Sequence, residues 1–154
     1  MAKEIERKFL VNSTAYRALA TGVHYLQGYL NREKERVVRV RIIDKNAFLT
    51  VKGITKGFSR LEYEFEIPIN EANELLTELC EHPLIDKHRY KVKLGDLVWE
   101  VDEFHGENDG LTVAEVELIS EDQEFSIPDW IGEEVTGDFR YYNSNLIINP
   151  YKSW

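Results

Sequence analysis

The stretch that decides the fold lies at the start of the chain and reads Glu4-Ile5-Glu6-Arg7-Lys8-Phe9-Leu10. In a β-strand, side chains two residues apart point to the same face. This spacing predicts a strand with Glu4, Glu6 and Lys8 on one face, while Ile5 and Phe9 lie on the other. A face that carries two carboxylates and an ammonium can hold a divalent cation and an anion at the same time.

Similar alternation recurs in seven later stretches, most of them joined by connections too short for a parallel crossover. We therefore predict one domain over residues 1–154 with a mainly β (α+β) fold. Its core is an eight-stranded antiparallel sheet, closed into a tunnel barrel with a few outer helices. The predicted strands cover residues 4–10, 23–30, 37–43, 47–53, 60–67, 85–94, 97–104 and 111–119, and the clearest amphipathic helix covers residues 71–81.

The overall charge limits the classes of partner. Acidic residues outnumber basic ones by 28 to 19, which gives a formal net charge of -9. This field disfavours nucleic acid and anionic membranes, so an anionic ligand needs a local basic cluster. The single cysteine, Cys80, excludes an internal disulfide framework. With no signal-like or membrane-spanning apolar stretch, we expect a soluble, cytoplasmic protein. Its oligomeric state stays open, a homodimer included.

The charged strand faces predict the lining of the tunnel, and the apolar faces are expected to point outward, covered partly by the helices and the C-terminal tail. A polar face of a single strand usually just meets water. Here, however, like-charged pairs at a spacing of two recur on several strands. Guanidinium groups bind phosphate oxygens in pairs, and carboxylates suit Mg²⁺ or Mn²⁺. The basic set is Lys8, Arg39, Arg41, Lys52, Lys87 and Arg89, and the acidic set is Glu4, Glu6, Glu64, Asp102, Glu115 and Glu117.

In their order along the chain, these charged motifs resemble the CYTH domain family of triphosphate tunnel metalloenzymes. Residues 4–8 match the ExExK signature of that family, and the resemblance extends from Glu4 to about Tyr141. It implies an eight-stranded tunnel barrel that binds triphosphate together with a divalent metal. The later motifs are Arg39-Val40-Arg41, Lys52, Glu62-Tyr63-Glu64, Lys87-His88-Arg89-Tyr90 and Glu115-Val116-Glu117.

The resemblance also implies roles for individual residues. Glu4, Glu6 and Glu117 would bind the principal metal. Tyr29 and Lys87 would position the attacking water, although a tyrosine on a strand is more often a packing residue. The acids near a second metal or its waters would be Glu64, Asp102 and Glu115, and the phosphate contacts would be Lys8, Arg39, Arg41, Lys52, Arg89 and Arg140.

The predicted function is hydrolysis of inorganic tripolyphosphate, a small-molecule substrate, to pyrophosphate and phosphate with Mg²⁺ or Mn²⁺. Three alternatives stay open: a nucleoside or thiamine triphosphatase, an adenylyl cyclase, and a noncatalytic polyphosphate-binding module. The organic substrates need a further pocket, for which the sequence contains no clear motif. The noncatalytic module is disfavoured because acids are present in both the first and the last predicted strand.

Overall fold

A computed structural model describes residues 5–54 and 61–154 of the chain. Within these ranges the chain forms nine strands, and every observed pairing between them is antiparallel. The strands are β1 (Ile5–Val11), β2 (Val23–Asn31), β3 (Arg36–Ile43), β4 (Asn46–Gly53), β5 (Glu62–Ile67), β6 (Ile85–Leu94), β7 (Leu97–Phe104), β8 (Thr112–Leu118) and β9 (Ile131–Glu134).

All nine strands belong to one sheet in the order β5-β4-β3-β2-β6-β7-β8-β1-β9. The predicted antiparallel β fold with few helices is therefore confirmed. The ninth strand lies in the tail, which was predicted to be irregular, and it pairs with β1 through Phe9↔Glu134 and Val11↔Ile131. In the described residues β5 and β9 are the two edges of the sheet, so its hydrogen-bonded ladder is not closed.

Helices are few and short. The predicted helix at 71–81 is confirmed with shifted bounds, as α1 (Ile69–Glu74) followed by a π-helical turn (Leu75–Leu79). Helix α2 (Asn143–Leu146) lies in the tail. Among the described residues, the helices are all too short or too polar to cross a membrane. Single 3₁₀ turns cover Ala15–Ala18, Gly106–Asn108, Phe139–Tyr141 and Tyr151–Ser153.

The outer face of the sheet carries two apolar clusters. One surrounds Trp99, which is 1% exposed. The other lies beneath α1 and the π-helical turn, where Leu76 and Cys80 pack with Val40. A side chain at Gly28 would place its Cβ 2.9 Å from the Cβ of Cys80. Glycine is therefore what allows the turn to pack directly on β2.

A third apolar cluster fills one end of the inner face. It joins Ile85 and Phe104 of the sheet with Tyr141 and Leu146 of the tail. Phe104 lies directly opposite Lys87, so this cluster shares the face that carries the charged residues. The expectation that the tail covers the outer face is therefore wrong for this segment. The reason is that the inner face is apolar at this end and is buried by the apolar residues of the tail.

Candidate functional site

The inner face of the sheet surrounds a cavity of about 410 Å³. Strands β1 to β4 and β6 to β8 contribute its walls, and the C-terminal tail contributes the rest. The strand residues that line it are Glu6, Lys8, Gln27, Tyr29, Arg39, Arg41, Lys52, Lys87, Arg89, Glu100 and Glu115, and the tail residues are Thr136, Gly137, Tyr142, Asn143 and Ser144.

The structure brings the complete predicted basic set to this cavity. Strand alternation explains the arrangement, because Arg39 and Arg41 are two residues apart on β3, as are Lys87 and Arg89 on β6. Lys52 enters from β4, the neighbour of β3. Six cationic side chains and three carboxylates, Glu6, Glu100 and Glu115, line the cavity, so the lining is net positive within an acidic protein.

Two of the arginines show the electrostatic consequence of this crowding. Burial, together with the charges of Arg39 and Arg89, lowers the pKa of Arg41 to about 10. Burial also lowers the pKa of Arg39, whose Nε atom is buried and has no hydrogen-bond partner in the part of the chain that the structure describes. A buried, unpaired donor on a charged side chain is unfavourable until an acceptor reaches it. An anion with several oxygens would satisfy Arg39 and offset the repulsion among the cations.

Lys87 and Arg89 share the carboxylate of Asp102. The Nζ atom of Lys87 donates to Asp102 Oδ2 at 2.9 Å, and Arg89 donates from Nε to Oδ1 at 2.7 Å. Burial, and then the charges of Arg89 and Arg41, lower the pKa of Lys87 in spite of Asp102. Although burial opposes it, the charge of Lys87 and the hydrogen bonds from Arg89 lower the pKa of Asp102. Asp102 does not line the cavity, and its position does not support the predicted role beside a metal.

The second lysine of the site, Lys8, is held by β8 and by the tail. Its Nζ atom lies 3.1 Å from Glu115 Oε1 and donates to the backbone oxygen of Tyr141 at 3.4 Å. It also lies 4.8 Å from the ring centroid of Tyr142. Lys87 contacts the same tail segment, donating to Asn143 Oδ1 at 3.3 Å. The tail thus touches two of the three lysines that line the cavity, Lys8 and Lys87.

The carboxylates of β1, β7 and β8 face each other in pairs. Glu6 lies opposite Glu117, and Glu100 lies opposite Glu115. Like charges directly opposite each other destabilise a sheet unless a counter-charge is present. Lys8 forms a salt bridge with Glu115, and Arg89 forms one with Glu100 at 3.2 Å.

A divalent cation fits this chemistry, because carboxylate oxygens are the ligands that Mg²⁺ and Mn²⁺ prefer. Glu6, Glu115 and Glu117 are the described members of the predicted metal set on β1 and β8. Glu4 lies outside the described residues. Within residues 5–54 and 61–154, no three His, Cys, Asp or Glu side chains group closely enough to hold a metal by themselves.

Besides Asp102, three predicted site residues do not line the cavity, namely Glu64, Glu117 and Arg140. Glu64 on β5 accepts a hydrogen bond from Thr50 at 3.2 Å and does not line the cavity. Arg140 binds Asp138 at 2.7 Å and packs over the rings of Tyr141 and Trp154. Arg140 therefore points away from the cavity, and its position does not support the predicted phosphate contact.

Some lining residues were not predicted. Gln27 and Glu100 lie two residues before Tyr29 and Asp102, so strand spacing alone could have found them. Gln27 accepts from Arg41 Nε at 3.1 Å and holds that arginine in place. The lining residues of the tail carry no such signal, because their position depends on how the tail folds back onto the sheet.

Comparison with known proteins identifies a family and relatives that match nearly the whole chain. The family model described as "CYTH domain" matches residues 2–147. The chain is 58% identical over 154 residues to a protein named inorganic triphosphatase from Acetivibrio thermocellus, covering 100% of this chain and 99% of that one. It is 40% identical over 150 residues to a protein of the same name from Nitrosomonas europaea, covering 95% and 97%. A crystal structure of an inorganic triphosphatase superposes with a TM-score of 0.76 at 38% identity, covering 96% of each chain.

Proposed function

The chain belongs to the CYTH domain family, and from this premise we propose that it hydrolyses inorganic tripolyphosphate to pyrophosphate and phosphate with Mg²⁺ or Mn²⁺. The observation that carries the proposal is the set of six cationic side chains around one cavity, where the buried Nε atom of Arg39 has no hydrogen-bond partner among residues 5–54 and 61–154. The two relatives named inorganic triphosphatase add support, since each aligns over nearly its full length.

The basic residues of the cavity would bind the phosphate chain. Arg39 and Arg41 can each contact two oxygens, while Lys8 and Lys52 act as point charges. Their fixed positions would offset the negative charge that moves onto the leaving pyrophosphate in the transition state. Glu6 and Glu117, which lie opposite each other, would hold the principal divalent cation together with Glu4, and Glu115 would lie near a second cation or its waters. A bound cation would neutralise phosphoryl oxygens.

Hydrolysis requires a water molecule in line with the leaving group. The oxygen of this water forms a bond to the terminal phosphorus, the bridging P–O bond breaks, and the water's proton is released. We propose that Lys87 positions the water, because two of its three N–H groups bind Asp102 and Asn143 and one remains. Tyr29, buried at 7% exposure on the cavity wall, is the proposed second positioning group.

The lining favours an inorganic substrate over the organic alternatives. Every described side chain on the wall is charged or polar, apart from Gly137 and the two tyrosines, Tyr29 and Tyr142. Binding an adenine or a thiazolium ring would need an apolar pocket around it. The net negative charge of the whole chain also disfavours nucleic acid as a partner. The cytoplasmic location stays a prediction, and the oligomeric state stays open.

One assay tests the function. Purified protein is incubated with Mg²⁺ or Mn²⁺ and with tripolyphosphate, ATP or thiamine triphosphate, and phosphate, pyrophosphate and cyclic nucleotide are quantified. We expect phosphate and pyrophosphate in equal amounts from tripolyphosphate, and much less product from Lys87→Ala. Faster turnover of ATP or thiamine triphosphate would show that an organic triphosphate is the preferred substrate. Formation of cyclic nucleotide would indicate a cyclase. Binding of tripolyphosphate without turnover, with Mg²⁺ and with Mn²⁺, would indicate a noncatalytic polyphosphate-binding module.

A further inference from the structure

The C-terminal tail contributes a polar side chain whose role the proposed function does not yet include. Asn143 begins α2, lines the cavity and accepts a hydrogen bond from Lys87 at 3.3 Å. Lys87 is itself 1% exposed, whereas Asn143 is half-buried, so the contact joins a buried lysine to a side chain on the cavity surface. The tail segment therefore reaches the group proposed to position the water.

The chemistry of the two groups fixes the orientation of the amide. An ammonium only donates hydrogen bonds, whereas an asparagine amide has one accepting oxygen and an NH₂ group with two donors. Because Asn143 Oδ1 accepts from Lys87, the NH₂ group lies on the opposite side of the amide. A donor on a side chain that lines a cavity rich in cations suits a ligand made of acceptors, such as a phosphoryl group.

The surrounding packing holds Asn143 in place. Tyr141 and Leu146 on either side are buried in the inner apolar cluster, Leu146 with 0% exposure. The backbone N–H groups of Asn145 and Leu146 both donate to the carbonyl of Tyr142 at 2.9 Å. A side chain supported in this way is pre-organised, since its backbone does not have to be ordered again when a ligand binds.

We propose that Asn143 positions Lys87 through its amide oxygen and donates its amide N–H to a phosphoryl oxygen of the bound triphosphate. The proposal rests on the proposed function and assigns the tail a direct part in the reaction. It predicts two separable effects, one on the lysine and one on the substrate.

Two substitutions separate these effects. Asn143→Ala removes both the acceptor and the donor. Asn143→Asp has nearly the same shape and keeps an acceptor for Lys87, but it replaces the donor with an oxygen that repels phosphate. The matched control is Asn145→Ala, which changes the same residue type two positions later in α2, where the side chain does not line the cavity.

The measurements are kcat and KM for tripolyphosphate, together with calorimetric binding of tripolyphosphate without metal and the free energy of unfolding. We expect Asn143→Ala to lower kcat about tenfold to hundredfold, the usual range for losing a hydrogen bond to a charged group. Asn143→Asp should raise KM and Kd at least about tenfold, and more than Asn143→Ala does. Asn145→Ala should stay within about twofold of the wild type.

The outcomes separate this inference from the proposed function. If the wild type hydrolyses tripolyphosphate and both Asn143 variants fold and match Asn145→Ala, the inference is wrong while the function stands. Equal KM values in Asn143→Ala and Asn143→Asp would show that the Asn143 amide does not donate a hydrogen bond to a phosphoryl oxygen. If the wild type does not hydrolyse tripolyphosphate, the proposed function is wrong. The binding measurements then test the inference about Asn143 alone. Unchanged Kd in Asn143→Asp then overturns the inference as well.

Discussion

The Nζ atom of Lys87 lies 2.9 Å from Oδ2 of Asp102, and the two side chains are only 1% and 5% exposed. Arg89 completes the group from the next position on the same face of β6. A buried carboxylate with two cationic partners keeps both of them fixed at the cavity wall. This relationship makes Asp102 a support of the basic wall, although it does not line the cavity itself.

Neutralising Asp102 should therefore destabilise the fold. In Asp102→Asn, Lys87 and Arg89 lose their buried counter-charge, and we expect the free energy of unfolding to fall by about 3 to 5 kcal/mol. Chemical denaturation followed by fluorescence measures this loss. Asp96→Asn, in the exposed turn between β6 and β7, is the control and should change stability by no more than about 0.5 kcal/mol. Equal stability of the two variants would contradict the role of Asp102.

The same group predicts how stability depends on pH. The pKa of Asp102 is lowered from 3.8 to about 2 in the fold. Because the folded pKa lies below the unfolded one, this stabilisation is fully present above about pH 4 and is lost as the pH falls toward 2. Unfolding free energies between pH 5 and pH 2 should therefore converge for the wild type and Asp102→Asn. Parallel curves would show that Asp102 has an ordinary pKa.

Replacing Arg39 should separate stability from function. Its Nε atom is buried with no hydrogen-bond partner among the described residues, and burial already disfavours its charge. We expect Arg39→Met to raise the unfolding free energy of the ligand-free protein by about 1 kcal/mol, because an unsatisfied donor is removed. Tripolyphosphate binding should weaken strongly. Arg36→Met, at an exposed position of the same strand, should alter neither quantity by much. A destabilised Arg39→Met protein would mean that Arg39 stabilises the empty cavity.

The metal assignment can be tested at Glu117. This carboxylate lies opposite Glu6 on the neighbouring strand. A neutral amide is a poorer ligand for a hard cation, so Glu117→Gln should lose metal-dependent turnover while its melting temperature without metal stays the same or rises. Glu78→Gln, on the exposed surface of the π-helical turn, serves as the comparison. Full turnover at every Mg²⁺ and Mn²⁺ concentration would remove Glu117 from the metal set.

Metal and tripolyphosphate should stabilise the protein synergistically. The cations of the cavity repel one another, and the carboxylates of β1 and β8 face each other, so each ligand relieves a different repulsion. A metal that bridges carboxylates and phosphate oxygens adds contacts that neither ligand makes alone, and we expect a coupling of about 1 to 3 kcal/mol.

Thermal melts of Lys87→Ala, with metal, with tripolyphosphate and with both, measure this coupling. Free concentrations must be corrected for pairing of the two ligands in solution. A combined shift no greater than that of independent sites would mean that the metal and the triphosphate do not share one site.

Sequence alternation alone predicted eight of the nine described strands, all but β9, and the face on which their charges lie. Strand alternation has a period of two, so the spacing of Arg39 and Arg41, or of Lys87 and Arg89, places each pair on one face whatever the rest of the chain does. The family resemblance rests on the same local patterns. For this reason the basic wall of the cavity could be predicted in full.

Only the tertiary structure decided which partners these charges have. Asp102 and Glu115 belong to the same predicted acidic set, but strand register brings Asp102 to Lys87 and Arg89, and Glu115 to Lys8. Asn143 lies 56 residues from Lys87 in sequence and reaches it because the tail buries the apolar end of the inner face. Such contacts depend on the packing of the whole domain, which no local spacing encodes.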